Sequence, residues 1–213
     1  VVRPRARARG TAAAAAPGDV LVQAIWARAE VPESGCDLHS PCPDRRVAQA
    51  RLEPDNAVAW VAVFDDLDPV HDEAEVQANL EKIASSSTAE DHYIELIESW
   101  LQAMHLLSKP IADSQSDSDA ATSFSAGSFP HFGQLFKACK RVSLPTAPAR
   151  RFELCAQAGR VLRDRSQTLL TRVVGAALIN SSGESTEQDL AARRRLRWYQ
   201  EATGLLAKES KDH

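Results

Sequence analysis

The residues of this sequence best equipped for chemistry are its four cysteines, which fall into two local pairs, Cys36 with Cys42 and Cys139 with Cys155. Thiols so spaced can form disulfides, hold a metal, or fill apolar positions. Cys139 is expected one turn before a helix end and Cys155 about two turns into the next helix. An antiparallel hairpin brings such a pair together, and a bridge closing about 16 residues contributes about 3 kcal/mol in the chain-entropy model. Cys36 and Cys42 flank five residues that include Pro41 and can staple a loop lacking a core of its own. An even count in two local pairs fits an oxidising compartment, and two disulfides are the expected state. The sharper alternative is Cys36-x2-His39-x2-Cys42, two thiolates and an imidazole at ligand-like spacing. Asp37, Asp44, His71 or a distant Cys would have to complete that zinc site. Free thiols, with Cys139 and Cys155 as ordinary core residues, are the third reading.

Catalytic signatures are absent from the sequence. It contains no G-x-S-x-G, no phosphate-cradling Gly loop, no H-E-x-x-H and no dinucleotide fingerprint, so no catalytic, cofactor or metal residue is assigned. His71 in DPVHDEAE and His92 in AEDHYIE lie beside acids, and an Asp–His pair can orient a general base. Each, however, falls near a helix start in an acidic region, where capping and solvation are the ordinary roles. Glu95 and Glu98 have the three-residue spacing of any solvated helix face. The stretch Arg193-Arg194-Arg195-Leu196-Arg197-Trp198-Tyr199 has the arginines and aromatics that grip phosphate and stack a base. On a helix, Leu196 and Tyr199 belong to the apolar stripe and the arginines to the other side. With a net charge of -4, no nucleic-acid partner is expected.

Charge is segregated along the chain. Residues 1–10 carry +4, residues 52–119 carry -14 and residues 137–172 carry +7. An acidic and a basic half can satisfy each other in the fold or face partners. The hydrophobic share of 44% and charged share of 25% are those of a globular protein, and 213 residues suffice for a core. No apolar run reaches the roughly 18 residues of a membrane span.

The elements that position these residues read as helices nearly throughout. The N-terminal VVRPRARARGTAAAAAPGD has no Leu/Val-rich signal-peptide core, and residues 1–17 are expected to be flexible. Val20, Leu21, Ala24 and Ile25 mark a short helix, ESGCDLHSPCPD a loop, and Arg45–Leu52 a second helix ending before Pro54. Asp55 or Asn56 caps a helix with Ala57, Trp60, Val61, Phe64 and Leu67 on its apolar face. Val76, Leu80 and Ile83 mark the next. Ser87 and Glu90 form a capping box opening a longer helix that carries Tyr93, Ile94, Ile97, Trp100, Leu101 and Met104. Residues 108–128 are a Ser/Asp-rich mobile loop. Helices resume through Phe132–Cys139, turn at Leu144–Pro148, and continue with Phe152, Cys155, Gly159 and Leu162. Leu169, Leu170, Val173, Val174 and Ala177 follow, in one long helix or two joined near Asp164–Ser166, ending at Ser182–Gly183. A last helix starts at a Ser185–Gln188 capping box. No segment alternates with the period of a strand. The expected fold is all-α: an array over 18–107 and a C-terminal bundle over 129–208 packed on it.

A shift of 34 residues aligns Trp60 with Ile94, Val63 with Ile97 and Leu67 with Leu101. Thirty-four residues is the tetratricopeptide period, and LEPDNAVAWVAVFDDL resembles the first helix of that family, with Pro54 at its closing proline and Trp60 at its aromatic. Phe64 stands where the family has Gly, and Val76 and Ile83 where it has Ala. The resemblance covers about residues 44–107. The chain also resembles a group of uncharacterised exported bacterial helical proteins that share L-x-P-D-N-A-x-A-W and scattered cysteines. What these resemblances imply is antiparallel hairpins stacked to bind another protein. The expected role is a non-enzymatic protein-binding module of the bacterial envelope, periplasmic or otherwise exported, such as a toxin-neutralising (immunity) protein or an assembly factor. Its expected contact surface is acidic, through Asp65, Asp66, Asp68, Glu95 and Glu98, toward a basic protein partner. A structural or self-associating subunit, and an enzyme without a signature, are the alternatives.

Overall fold

In the computed structural model, residues 14–28, 45–64, 67–106 and 131–209 are described. Among them are nine α-helices: α1 Val20–Arg28, α2 Arg45–Leu52, α3 Ala57–Val63, α4 Glu73–Ser85, α5 Tyr93–Leu106, α6 Gly133–Cys139, α7 Ala149–Arg165, α8 Leu169–Ser182 and α9 Glu187–Glu209. A 3-10 turn, Arg141–Ser143, stands between α6 and α7. No strand occurs among the described residues, and the fold is all-α, as expected. None of the described helices is long and apolar enough to cross a membrane.

The chain divides into two compact units, one of Val1–Pro54 with Asp91–His131, the other of Asp55–Glu90 with Phe132–His213. The segment expected as one array, 18–107, is thus shared between them. The expected flexible residues 1–13 and the expected loop over 108–128 lie outside the described residues.

In the first unit α1 packs on α2, burying Gln23, Ala24, Gln49 and Ala50. Asp19 Oδ1 accepts from Val22 N, the short-side-chain cap that an N-terminal turn favours. Helix α5 opens after His92, whose φ of 55° is a left-handed backbone uncommon for a residue with a Cβ. It buries Leu96, keeps Tyr93, Ile97, Trp100 and Leu101 half-buried and leaves Ile94 55% exposed, so Ile94 alone among its described apolar residues departs from the expected set. The start of this helix also differs from expectation. Ser87 and Glu90 do not form a capping box, because Ser87 N and Thr88 N donate to Asp55 O and Glu90 N donates to Asn56 Oδ1. The helix starts only at Tyr93.

The second unit holds the main core. Val58, Val61 and Phe64 of the α3 segment meet Val76, Leu80 and Ile83 of α4, Leu135 of α6 and Leu154, Ala158 and Leu162 of α7. Asn56 caps α3 by accepting from Val58 N. The same amide donates to Glu90 O, so one side chain satisfies three backbone groups across 34 residues. Helices α7 and α8 are separate, joined through Ser166–Thr168. They cross at Gly159 and Gly175: a Cβ on Gly159 would lie 2.7 Å from Gly175 O, and one on Gly175 2.5 Å from Gly159 O. Gly183, at φ 76°, ends α8 in the left-handed conformation that glycine adopts without penalty.

The start of α9 is fixed one residue later than expected, by Thr186 and Asp189 rather than Ser185 and Gln188. Asp189 N donates to Thr186 Oγ1 and Thr186 N to Asp189 Oδ2, a capping box. Asp189 is chosen over Gln188 because its buried carboxylate also accepts from Arg160 Nη2 at 2.8 Å and Arg163 Nη1 at 2.6 Å. Its pKa is held well below the usual carboxylate range, first by the Arg160 hydrogen bond and further by Thr186 and Arg163, against the opposing effect of burial. Farther along α9, Leu196 is buried but Tyr199 is 53% exposed, so Tyr199 does not continue the stripe.

Candidate binding pocket

The second unit contains a cavity of about 620 Å³, within the roughly 300–1,000 Å³ of ligand clefts. One wall is the loop between α3 and α4, with Leu67, Asp68, Pro69 and Val70. The opposite wall is α6 and the turn after it, with Gln134, Lys137, Lys140, Ser143 and Leu144. Helix α3 ends at Val63 with Phe64 as its C-cap, before Pro69, so the proline is not what stops it. Helix α6 stops at Cys139, and Lys140 turns extended.

The two walls are tied together by Arg151 of α7, which is 1% exposed. Its Nη2 donates to Pro69 O at 2.8 Å, its Nη1 to Glu73 Oε2 at 2.6 Å, and its Nε to Ala138 O at 2.9 Å. The planar guanidinium has its donors in a fixed fork, so it sets loop, α4 and α6 in one register. One turn along α7, the Cys155 sulfur stands at disulfide distance from Cys139, with the Cα atoms 5.6 Å apart. The pocket is therefore built on a fixed frame.

Its lining is chemically uneven. Leu67, Pro69, Val70 and Leu144 are apolar, and Val70 is 65% exposed. Lys137 and Lys140 are exposed, and neither has an ion-pair partner among the described residues. Gln134 Oε1 is buried without a hydrogen-bond partner, a costly state for an amide oxygen unless something donates to it. Asp68 is already engaged: its carboxylate accepts from Val70 N at 2.9 Å and meets His71 Nδ1 at 2.7 Å. That hydrogen bond is the largest cause both of the raised His71 pKa and of the lowered Asp68 pKa. With His71 protonated the pair is neutral, and the two lysines set the sign of the pocket.

Of the residues expected to contact a partner, Asp68 alone lies on this pocket. Glu95 and Glu98 are exposed on α5, in the other unit. Asp65 and Asp66 lie outside the described residues, as do Cys36, His39 and Cys42. His92 is buried with its Nε2 2.7 Å from Glu53 Oε1. Two arginines of α9 are engaged within the unit, Arg193 with Asn180 of α8 and Arg194 with Glu187. Sequence reading missed Arg151, Gln134 and the two lysines. One signal was present: Arg151 precedes Cys155, Ala158 and Leu162 at helical spacings, an arginine on an apolar stripe. The lysines carry no such mark, because they face the loop rather than the core.

The chain matches no protein-family model, and no curated protein and no solved structure matches it.

Proposed function

We propose that this chain is a non-enzymatic protein-binding module of the bacterial envelope, an immunity or assembly factor in type, that receives its partner in the pocket of α6 and the 67–70 loop. The observation that carries this reading is the frame itself. A buried guanidinium and a disulfide hold the walls at fixed spacing while the lining keeps two exposed lysines without an ion-pair partner among the described residues. Preorganised walls lower the ordering cost of association, and unspent polar groups supply its specificity. The tetratricopeptide-like reading is supported by the Asn56–Glu90 pairing, which falls at the 34-residue repeat offset. Export is supported by the Cys139–Cys155 pair, since such bridges persist in oxidising compartments.

This reading moves the proposed contact from the acidic residues of the 52–119 segment to the basic wall of the pocket, and the partner's contacting part from basic to acidic. Affinity capture from the native cells, comparing the wild-type chain with Leu144→Asp and with Lys137→Glu/Lys140→Glu, tests it. One stoichiometric protein partner is expected with the wild type and lost with both variants. A partner retained undiminished by both would place binding elsewhere.

A further inference from the structure

Two helix faces outside the pocket are built alike and carry opposite charge. Leu96 is the buried anchor of α5, and Ile94, two positions earlier and so about 200° round the helix, is exposed. Glu98 stands four positions after Ile94 and three after Glu95, so the three share one face. Leu196 is buried in the same way on α9, and Trp198, two positions later, is 63% exposed. Arg194 and Arg195 stand four and three positions before Trp198, on its face. The indole is steadied by the Tyr199 ring, edge-on with centroids 5.2 Å apart. All four charged side chains are exposed. Glu95, Glu98 and Arg195 have no ion-pair partner among the described residues. Arg194 meets Glu187 at 3.3 Å, between side chains 71% and 83% exposed, a pair of the kind that contributes little.

We propose that two copies of this chain associate through these faces, α9 of one copy lying on α5 of the other. The Arg194 and Arg195 guanidiniums donate to the Glu95 and Glu98 carboxylates in charge-assisted hydrogen bonds. Trp198 covers Ile94, which takes two exposed apolar side chains out of water. A second copy is the occupant because it answers both faces at once. A lipid surface or a nucleic acid supplies anions for the arginines but leaves the acidic face and its Ile94 uncovered. The net charge of -4 also opposes an anionic surface or polymer. The contact joins two different surfaces, so each side can be reversed separately. It uses no residue of the pocket and does not depend on the binding reading above.

Sedimentation equilibrium of the full chain tests it, from about 5 to about 500 μM because a contact of two helix faces is small and weak. The mass is expected to rise above the monomer with concentration at about 0.05 M salt, and to rise less at about 0.5 M, where exposed charges are screened. Arg194→Glu/Arg195→Glu and Glu95→Arg/Glu98→Arg are each expected to weaken association about tenfold or more by setting like charges together. Mixed in equal amounts, the two variants are expected to associate with each other as the wild type does with itself, which a misfolded variant could not do. Trp198→Gln, with its charges intact, is expected to weaken association and leave its salt dependence. A wild type monomeric throughout, association that either reversal leaves intact, or a mixture of the two reversed variants that stays monomeric overturns the inference. Phosphatidylglycerol vesicles and oligo(dT) are titrated alongside. Binding of either that Arg194→Glu/Arg195→Glu abolishes and Glu95→Arg/Glu98→Arg leaves intact, with no self-association, assigns the α9 face to that ligand instead and likewise overturns it.

Discussion

Arg151 and Cys155 stand one turn apart on α7 and both fasten α6 to it, Arg151 through the Ala138 carbonyl and Cys155 through Cys139. Arg151 also reaches across to Pro69 O and Glu73. The pocket's geometry thus depends on a residue that does not line it. Arg151→Met is expected to destabilise the chain by about 3–5 kcal/mol, because two carbonyls and a carboxylate lose their partner in a buried site. Arg151→Lys recovers little, since one ammonium cannot address three acceptors in a fork. Urea unfolding measures both.

Removing the disulfide acts at the same joint by a different route. Cys139→Ala/Cys155→Ala is expected to cost about 3 kcal/mol, chiefly by freeing the unfolded chain. The folded variant keeps the Arg151 bonds, so partner affinity falls less than stability does. Denaturant titration beside a binding assay separates the two.

The α7–α8 crossing gives a sharper contrast. Gly159→Ala and Gly175→Ala would place a Cβ against backbone atoms at 2.7 Å and 2.5 Å, and overpacking of this kind costs about 1–3 kcal/mol. A Cβ on Gly133 meets nothing within 4 Å, so Gly133→Ala is expected to be neutral or to stabilise by about 0.5 kcal/mol through helix propensity. Thermal unfolding of the three variants checks the order.

Two titratable groups, the Asp189 carboxyl and the His71 imidazole, give opposite pH signatures. Asp189 has its pKa lowered in the folded chain, so its stabilisation is fully present above the unfolded carboxylate value of about 3.9 and is lost as pH falls toward the folded one. Asp189→Asn is expected to destabilise by about 3–5 kcal/mol near neutral pH, with the deficit narrowing below about pH 4. His71 has its pKa raised, so its pair with Asp68 is complete below about pH 6.5 and is lost as pH rises through the folded value. Imidazole NMR should show His71 titrating above about 6.5, and Asp68→Asn should move it back down.

The helical periods in the sequence were enough to place α4 and α7, because each buries the expected stripe in the same core; α8 instead buries Thr171, Gly175, Leu178 and Ile179 and leaves Leu170 49% exposed, and α3 is buried on nearly every side. Asn56 as a cap and Gly183 as a stop were legible for the same local reason. The Thr186–Asp189 box was misplaced by one residue because the choice between Gln188 and Asp189 depends on Arg160 and Arg163, which only the fold brings to that spot. The expected Ser87–Glu90 box does not form because the N–H groups of Ser87 and Glu90 donate to Asp55 O and Asn56 Oδ1, more than thirty residues away. The pocket was illegible for a related reason. It is a relation between a loop and a helix separated by more than sixty residues of chain, and neither wall has a motif of its own.

The central claim is that a partner seats between the 67–70 loop and α6. A photo-crosslinking amino acid at Val70, which is 65% exposed on the pocket rim, tests it most directly when activated in the native cells, with Leu170 as an exposed control. The account predicts one dominant protein adduct from Val70, missing from Leu170 and lost on adding Lys137→Glu/Lys140→Glu. The same adducts from both positions, or an adduct from Val70 that the lysine reversals leave intact, would contradict it.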